Sequence, residues 1–195
     1  MLEILDGGMI FELNKLYSDL GQTALTKNPE IIASIYQKYI DMGCHYITSC
    51  NYGFKSLKLD NWAELVEKAV DLCFRLKNKN YSKNTKLLGS LPPYYESYYH
   101  GPVIPEFTNF YNKLVDIMDS KVDEYILETQ VDIKHIDEIL SILTKKSKKK
   151  VKISIYPSSN ITGINIATIL EKYNNIDAIM VNCCSFAEVI SYYLY

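Results

Sequence analysis

The sequence predicts an α/β fold built from parallel strands, and three observations point to it. Short apolar runs alternate with longer amphipathic segments along the whole chain, the pattern of repeated βα units joined by right-handed crossovers. Polar residues gather where the apolar runs end: Asp6, Thr48-Ser49, Ser90, Glu128-Thr129 and Asn182-Cys183. No G-x-G-x-x-G or Walker loop is present, so the nucleotide-binding form of an open sheet has no support. Two architectures fit this pattern. In a (β/α)8 barrel the polar strand ends meet on one rim, whereas in a doubly wound sheet they spread along an edge.

The elements follow in order. Leu2–Leu5 is a short apolar strand closed by Asp6-Gly7-Gly8. A helix is expected over 28–43, with Asn28 as N-cap, Pro29 at the first helical position and Gly43 as the stop. Its apolar face carries Ile32, Ile35, Tyr36, Tyr39 and Ile40. His45–Cys50 is the second strand. Asn61–Lys79 is a helix with Leu65, Val66, Ala69, Leu72, Cys73 and Leu76 as its stripe, and Lys86–Leu91 is the third strand. A Tyr- and Pro-rich loop over Pro92–Pro105 leads into a helix over 104–120. Val122–Thr129 is the fourth strand and Ile133–Lys145 the next helix, whose terminal lysines suit the negative end of the helix dipole. Strand Val151–Tyr156, helix Thr162–Tyr173 and strand Asp177–Cys183 complete the run, and Ala187–Tyr195 reads as the start of one more helix.

Composition narrows the function classes. The 195 residues are 48% hydrophobic and 23% charged, with a net charge of -2, so a nucleic-acid-binding domain is not expected. The apolar runs are too short to span a bilayer, and the N-terminus lacks a basic segment followed by an apolar one. A cytoplasmic protein is expected. The five cysteines are odd in number in a chain that is not a small secreted scaffold, which argues against a disulfide framework. Cys44, Cys50 and Cys73 read as small buried hydrophobes. His45 reads as structural, His135 falls on a helix, and no histidine has metal-ligand spacing.

Four strand ends carry the chemistry. In "LDGG", Gly7 and Gly8 let the backbone pass close to a ligand. In "GSLPPYYESY", two prolines make a rigid exit lined with tyrosines. In "ILET", Glu128 ends a buried strand and calls for a cation, a hydrogen-bond cluster or a ligand. In "VNCC", a thiolate stands at a strand end, and thiolates bind Zn²⁺ well.

Taken in order and spacing, "LDGGMIFEL", "NPEIIASIYQKYIDMGCHYITSCNYGF", "GSLPPYYESY", "VDEYILET" and "VNCC" resemble the homocysteine S-methyltransferase family, over Leu5 to Cys184. The resemblance implies a (β/α)8 TIM-barrel fold, incomplete here, with about six βα units present. It implies zinc held by three cysteine thiolates at the C-terminal rim, of which Cys183 matches one. Asp6 and Glu128 match the acidic residues associated with the amino-acid end of homocysteine, with Gly7 and Gly8 beside it. The implied reaction is transfer of a methyl group from a methyl donor to the homocysteine thiol, giving methionine. Zinc favours it by deprotonating the bound thiol.

The family's other two zinc ligands come from a Gly-Gly-Cys-Cys motif, which these 195 residues do not contain. The expectation is therefore a single homocysteine-binding-type domain over 1–195 without its last two βα units. Its activity would need a complementing chain, and its open edges would favour self-association. The alternative is a non-catalytic remnant or a homocysteine-binding or interaction module. Cys184 is expected to pack rather than ligate, because adjacent side chains on an extended strand point to opposite faces.

Overall fold

The computed structural model describes residues 3–15, 21–54, 60–79, 84–157 and 161–193. Leu2, at the head of the expected first strand, and the last two residues lie outside them. The elements are α1 (Met9–Leu13), α2 (Gln22–Lys27), α3 (Pro29–Asp41), β1 (Tyr46–Thr48), α4 (Trp62–Lys79), β2 (Lys86–Leu91), α5 (Pro105–Met118), β3 (Glu124–Gln130), α6 (Ile133–Lys146), β4 (Val151–Ile155), α7 (Gly163–Lys172), β5 (Ile176–Val181) and α8 (Phe186–Tyr193). The strands form a five-stranded sheet in the order β1-β2-β3-β4-β5. β1 pairs with β2, β3 with β4 and β4 with β5, all parallel, as expected of repeated βα units.

Three expectations are corrected. The first strand shrinks to a parallel bridge from Leu5 to Tyr46, because Asp6-Gly7-Gly8 turns the chain away at once. Two short helices, α1 and α2, were not anticipated. Neither has a side-chain N-cap, and α2 starts from Gly21 in the left-handed region at φ 85, so the sequence signals that mark helix starts are missing. The last strand ends at Val181, two residues earlier than expected, because Cys183 takes a left-handed conformation at φ 58.

The chain divides into two compact units, Met1–Ser90 with Asp116–Glu124, and Leu91–Val115 with Tyr125–Tyr195. In the first, α3 and α4 bury Ile32, Tyr36, Ile40, Leu65, Val66, Ala69 and Cys73 together with Ile47, Leu87 and Leu88 from the strands. The apolar stripes read from the sequence are thus mostly buried, with Ile35, Tyr39 and Leu76 half-buried. Asp123 ties the base of β2: its carboxylate accepts from Leu87 N–H at 2.7 Å and from Lys77 Nζ at 2.6 Å.

In the second unit, α5 and α6 bury Phe107, Tyr111, Leu114, Ile136, Ile139 and Leu140 with Leu127, Val151, Ile153 and Ile155. Asp132 caps α6 by accepting from Lys134 N–H at 2.8 Å, and Thr162 and Asn165 form a capping box at α7. Every residue of β4 is buried, including Lys152, whose ammonium meets Asp177 at 2.5 Å. β5 has no buried residue. No helix among the described residues is long and apolar enough to cross a membrane.

Candidate functional site

The Asp-Gly-Gly turn belongs to the first unit. Asp6 N–H donates to the Tyr46 carbonyl at 3.0 Å, which fastens the turn beside β1. The Asp6 carboxylate accepts on both oxygens from one residue, from Thr48 N–H at 2.8 Å and from the Thr48 hydroxyl at 3.0 Å. The Thr48 carbonyl in turn accepts from the Tyr36 hydroxyl. The carboxylate therefore has a fixed direction at the end of β1, and charge-assisted bonds of this kind are the stronger ones. Gly7 is required by space: a Cβ there would lie 2.7 Å from the Tyr39 hydroxyl. Gly8 is not, since its Cβ would meet only Phe11 Cβ at 3.6 Å.

Behind this turn lies a closed polar network. The Ser49 hydroxyl donates to Asn51 Oδ1 at 2.6 Å and accepts from Ser90 N–H at 2.9 Å, and Asn51 Nδ2 donates to the Ser90 carbonyl at 3.1 Å. All three residues are buried, so the ends of β1 and β2 are locked in register. Below them, Cys50 and Cys73 are buried with Tyr36. Burial pushes the Tyr36 phenol and the Cys73 thiol well up, while a hydrogen bond from Cys73 draws the Cys50 thiol down. These cysteines pack, as the sequence suggested.

Glu128 and Cys183 belong to the second unit. Glu128 is half-buried near the end of β3, and its carbonyl accepts from Gln130 Nε2 at 2.9 Å. The register with β4 shifts between Leu127 and Gln130, and Thr129 between them has φ 51, a strained value for a β-branched residue. Asn182 reaches across to this irregularity. Its N–H donates to the Ile155 carbonyl at 3.0 Å, and its side-chain amide donates to Thr129 Oγ1 at 2.8 Å and to Cys183 Sγ at 3.3 Å. Ser185 and Glu188 then open α8 with a reciprocal cap, Ser185 N–H donating to Glu188 at 2.6 Å.

Cys183 and Cys184 differ in burial, though not through alternation on a strand. Both follow the end of β5; the left-handed turn leaves Cys183 exposed and Cys184 half-buried. Burial raises the Cys184 thiol, with Glu188 adding to it.

The second unit thus brings Thr129, Asn182 and Cys183 together, and the first brings Asp6 to Thr48 and Gly7 to Tyr39. Among the described residues, no three His, Cys, Asp or Glu side chains are grouped to hold a metal ion. Zinc takes four donors, so these residues do not make a zinc site among themselves.

The Tyr-rich loop is tied to itself and to α5 and α6. Tyr95 donates to the Pro102 carbonyl at 2.6 Å, Tyr111 to the Pro92 carbonyl at 2.7 Å, and His135 Nε2 lies 2.6 Å from the Gly101 carbonyl.

The homocysteine S-methyltransferase family model matches residues 3–194. The chain belongs to the homocysteine S-methyltransferase family. Solved structures of the Escherichia coli homocysteine methyltransferase MmuM are similar to it. The metallated form has a TM-score of 0.80 at 23% identity, covering 95% of this chain and 76% of that one. The apo form gives 0.77 at 20% identity over 96% and 74%, and the oxidised form 0.80 at 23% over 96% and 75%. At this identity the likeness concerns the fold, and it bears out the α/β fold of the TIM-barrel type. No curated protein sequence matches the chain. Within the family pattern, sequence reasoning singled out Asp6, Glu128 and Cys183 as expected site residues. It noted Thr48 and Asn182 only as polar strand ends, and it assigned Tyr39 to an apolar stripe.

Proposed function

We propose that this protein binds homocysteine as a member of its family, with Asp6 taking the substrate ammonium and Gly7 and Gly8 giving the backbone access beside it; the family resemblance makes Glu128 a further substrate-binding residue. The observation that carries this reading is the Asp6 carboxylate, fixed on both oxygens by Thr48 at a glycine turn. A carboxylate whose direction is set in advance loses little freedom when it takes an ammonium, which is what orients a small substrate. The family reaction, methyl transfer from a methyl donor to the homocysteine thiol to give methionine, is the activity that goes with this site. A zinc ion would supply thiol activation there. Cys183 is the thiolate this chain offers, and the remaining donors would come from a segment outside these 195 residues, on a complementing chain or a continuation. A cytoplasmic location belongs to the same reading and is supported by the cysteines, which stand as free thiols.

A second reading is favoured by the single exposed thiol at position 183: a homocysteine-binding module without turnover. Assay of labelled-methyl transfer to homocysteine with added zinc separates the two. Zinc-dependent transfer by the chain selects the enzyme. Binding of homocysteine without transfer selects the module, and absence of binding rejects both.

A further inference from the structure

Tyr39 sits on the apolar face of α3 but does not behave as a packing residue. Three buried tyrosines place their hydroxyls on acceptors: Tyr36 on the Thr48 carbonyl, Tyr111 on the Pro92 carbonyl at 2.7 Å, and Tyr173 on Asp137 at 2.8 Å. Tyr39 is only half-buried, and its hydroxyl has no hydrogen-bond partner among the described residues. Instead the oxygen lies against Gly7, 2.7 Å from where a Cβ would stand. The glycine is thus what admits the hydroxyl to the exposed Asp-Gly-Gly turn.

An α-amino acid presents a cation and an anion on neighbouring atoms. The Asp6 carboxylate, an acceptor, suits the ammonium and repels the carboxylate. A neutral donor on the same turn supplies what Asp6 lacks. The phenol stays protonated at ordinary pH, since burial, and then Glu12 and Asp6, raise its pKa.

We propose that Tyr39 is a substrate-binding residue whose hydroxyl donates to the α-carboxylate of the amino-acid substrate while Asp6 holds the ammonium. This rests on the reading of Asp6 given above. It makes the turn selective for a zwitterionic amino acid over an amine.

The test uses the 195-residue protein and two ligands, L-homocysteine and its decarboxylated analogue, an aminopropanethiol, with affinities read by ligand-observed NMR. Tyr39→Phe should weaken homocysteine roughly ten-fold or more, the loss expected of one hydrogen bond to a charged group, and leave the aminothiol unchanged. Gly7→Ala, which pushes the hydroxyl away, should also weaken homocysteine. Equal losses for both ligands, or no loss for homocysteine, would overturn the proposal. Asp6→Asn should weaken both ligands. If it weakens neither, the reading of Asp6 fails, and Tyr39 falls with it; if it does while Tyr39→Phe changes nothing, the Tyr39 proposal alone fails. Thermal melts confirm that each variant folds.

Discussion

At the Asp-Gly-Gly turn, Thr48 satisfies both carboxylate oxygens of Asp6, and Ser49, Asn51 and Ser90 close a buried network behind it. At the Asn-Cys turn, one amide, that of Asn182, holds Thr129 and Cys183, and the thiol faces solvent. The first region is built before any ligand arrives. The second offers one donor on a short support. On the reading proposed above, the first region orients an amino acid, while assembling a metal centre takes further donors.

The largest effect that bears on this comparison is expected from Asn51→Ala. It strands the Ser49 hydroxyl and the Ser90 carbonyl in a buried setting and should destabilise the fold by about 3 kcal/mol in urea denaturation. A loss within experimental error would mean that the network is not what stiffens the first region. Asp6→Ala should be smaller, about 2 kcal/mol, since Asp6 is only half-buried, and homocysteine binding should vanish with it. Retained binding would move the amino-acid end elsewhere.

Next comes a pH effect in the second region. Lys150 and Lys152 hold the Asp177 carboxyl down, from 3.8 to about 2. A carboxyl with a depressed pKa stabilises the fold above its ordinary value and loses that contribution as pH falls through the folded one. Stability should therefore drop between roughly pH 4 and pH 2, by about 1 kcal/mol once solvent screening is allowed for. A wild-type stability that is flat over that range contradicts it. The smallest effect is expected from Asn182→Ala, under about 1 kcal/mol, because its partners are few and partly solvated. If Asn182→Ala costs as much as Asn51→Ala, the comparison between the two regions collapses.

Much of this was legible before the structure. Longer helices with a sustained apolar stripe, such as α3 and α4, fall within two residues of expectation, because periodicity reports burial directly. Asp6, Glu128 and Cys183 stand out as polar residues at the ends of apolar runs, but their proposed roles come from the family resemblance alone. The short helices α1 and α2 were not, lacking caps and sustained periodicity. The early end of β5 depends on a left-handed residue that is not glycine, which the sequence does not mark. Tyr39 was hidden for a different reason. A tyrosine at an apolar position fits the stripe, and only its hydroxyl resting on Gly7 shows the other use.

Zinc content of the purified 195-residue chain, measured after dialysis against zinc, tests the contrast most directly. Well under one zinc per chain, in protein that still binds homocysteine, is the predicted result. One zinc per chain, lost on Cys183→Ala, would contradict it, because the second region would then be as complete as the first.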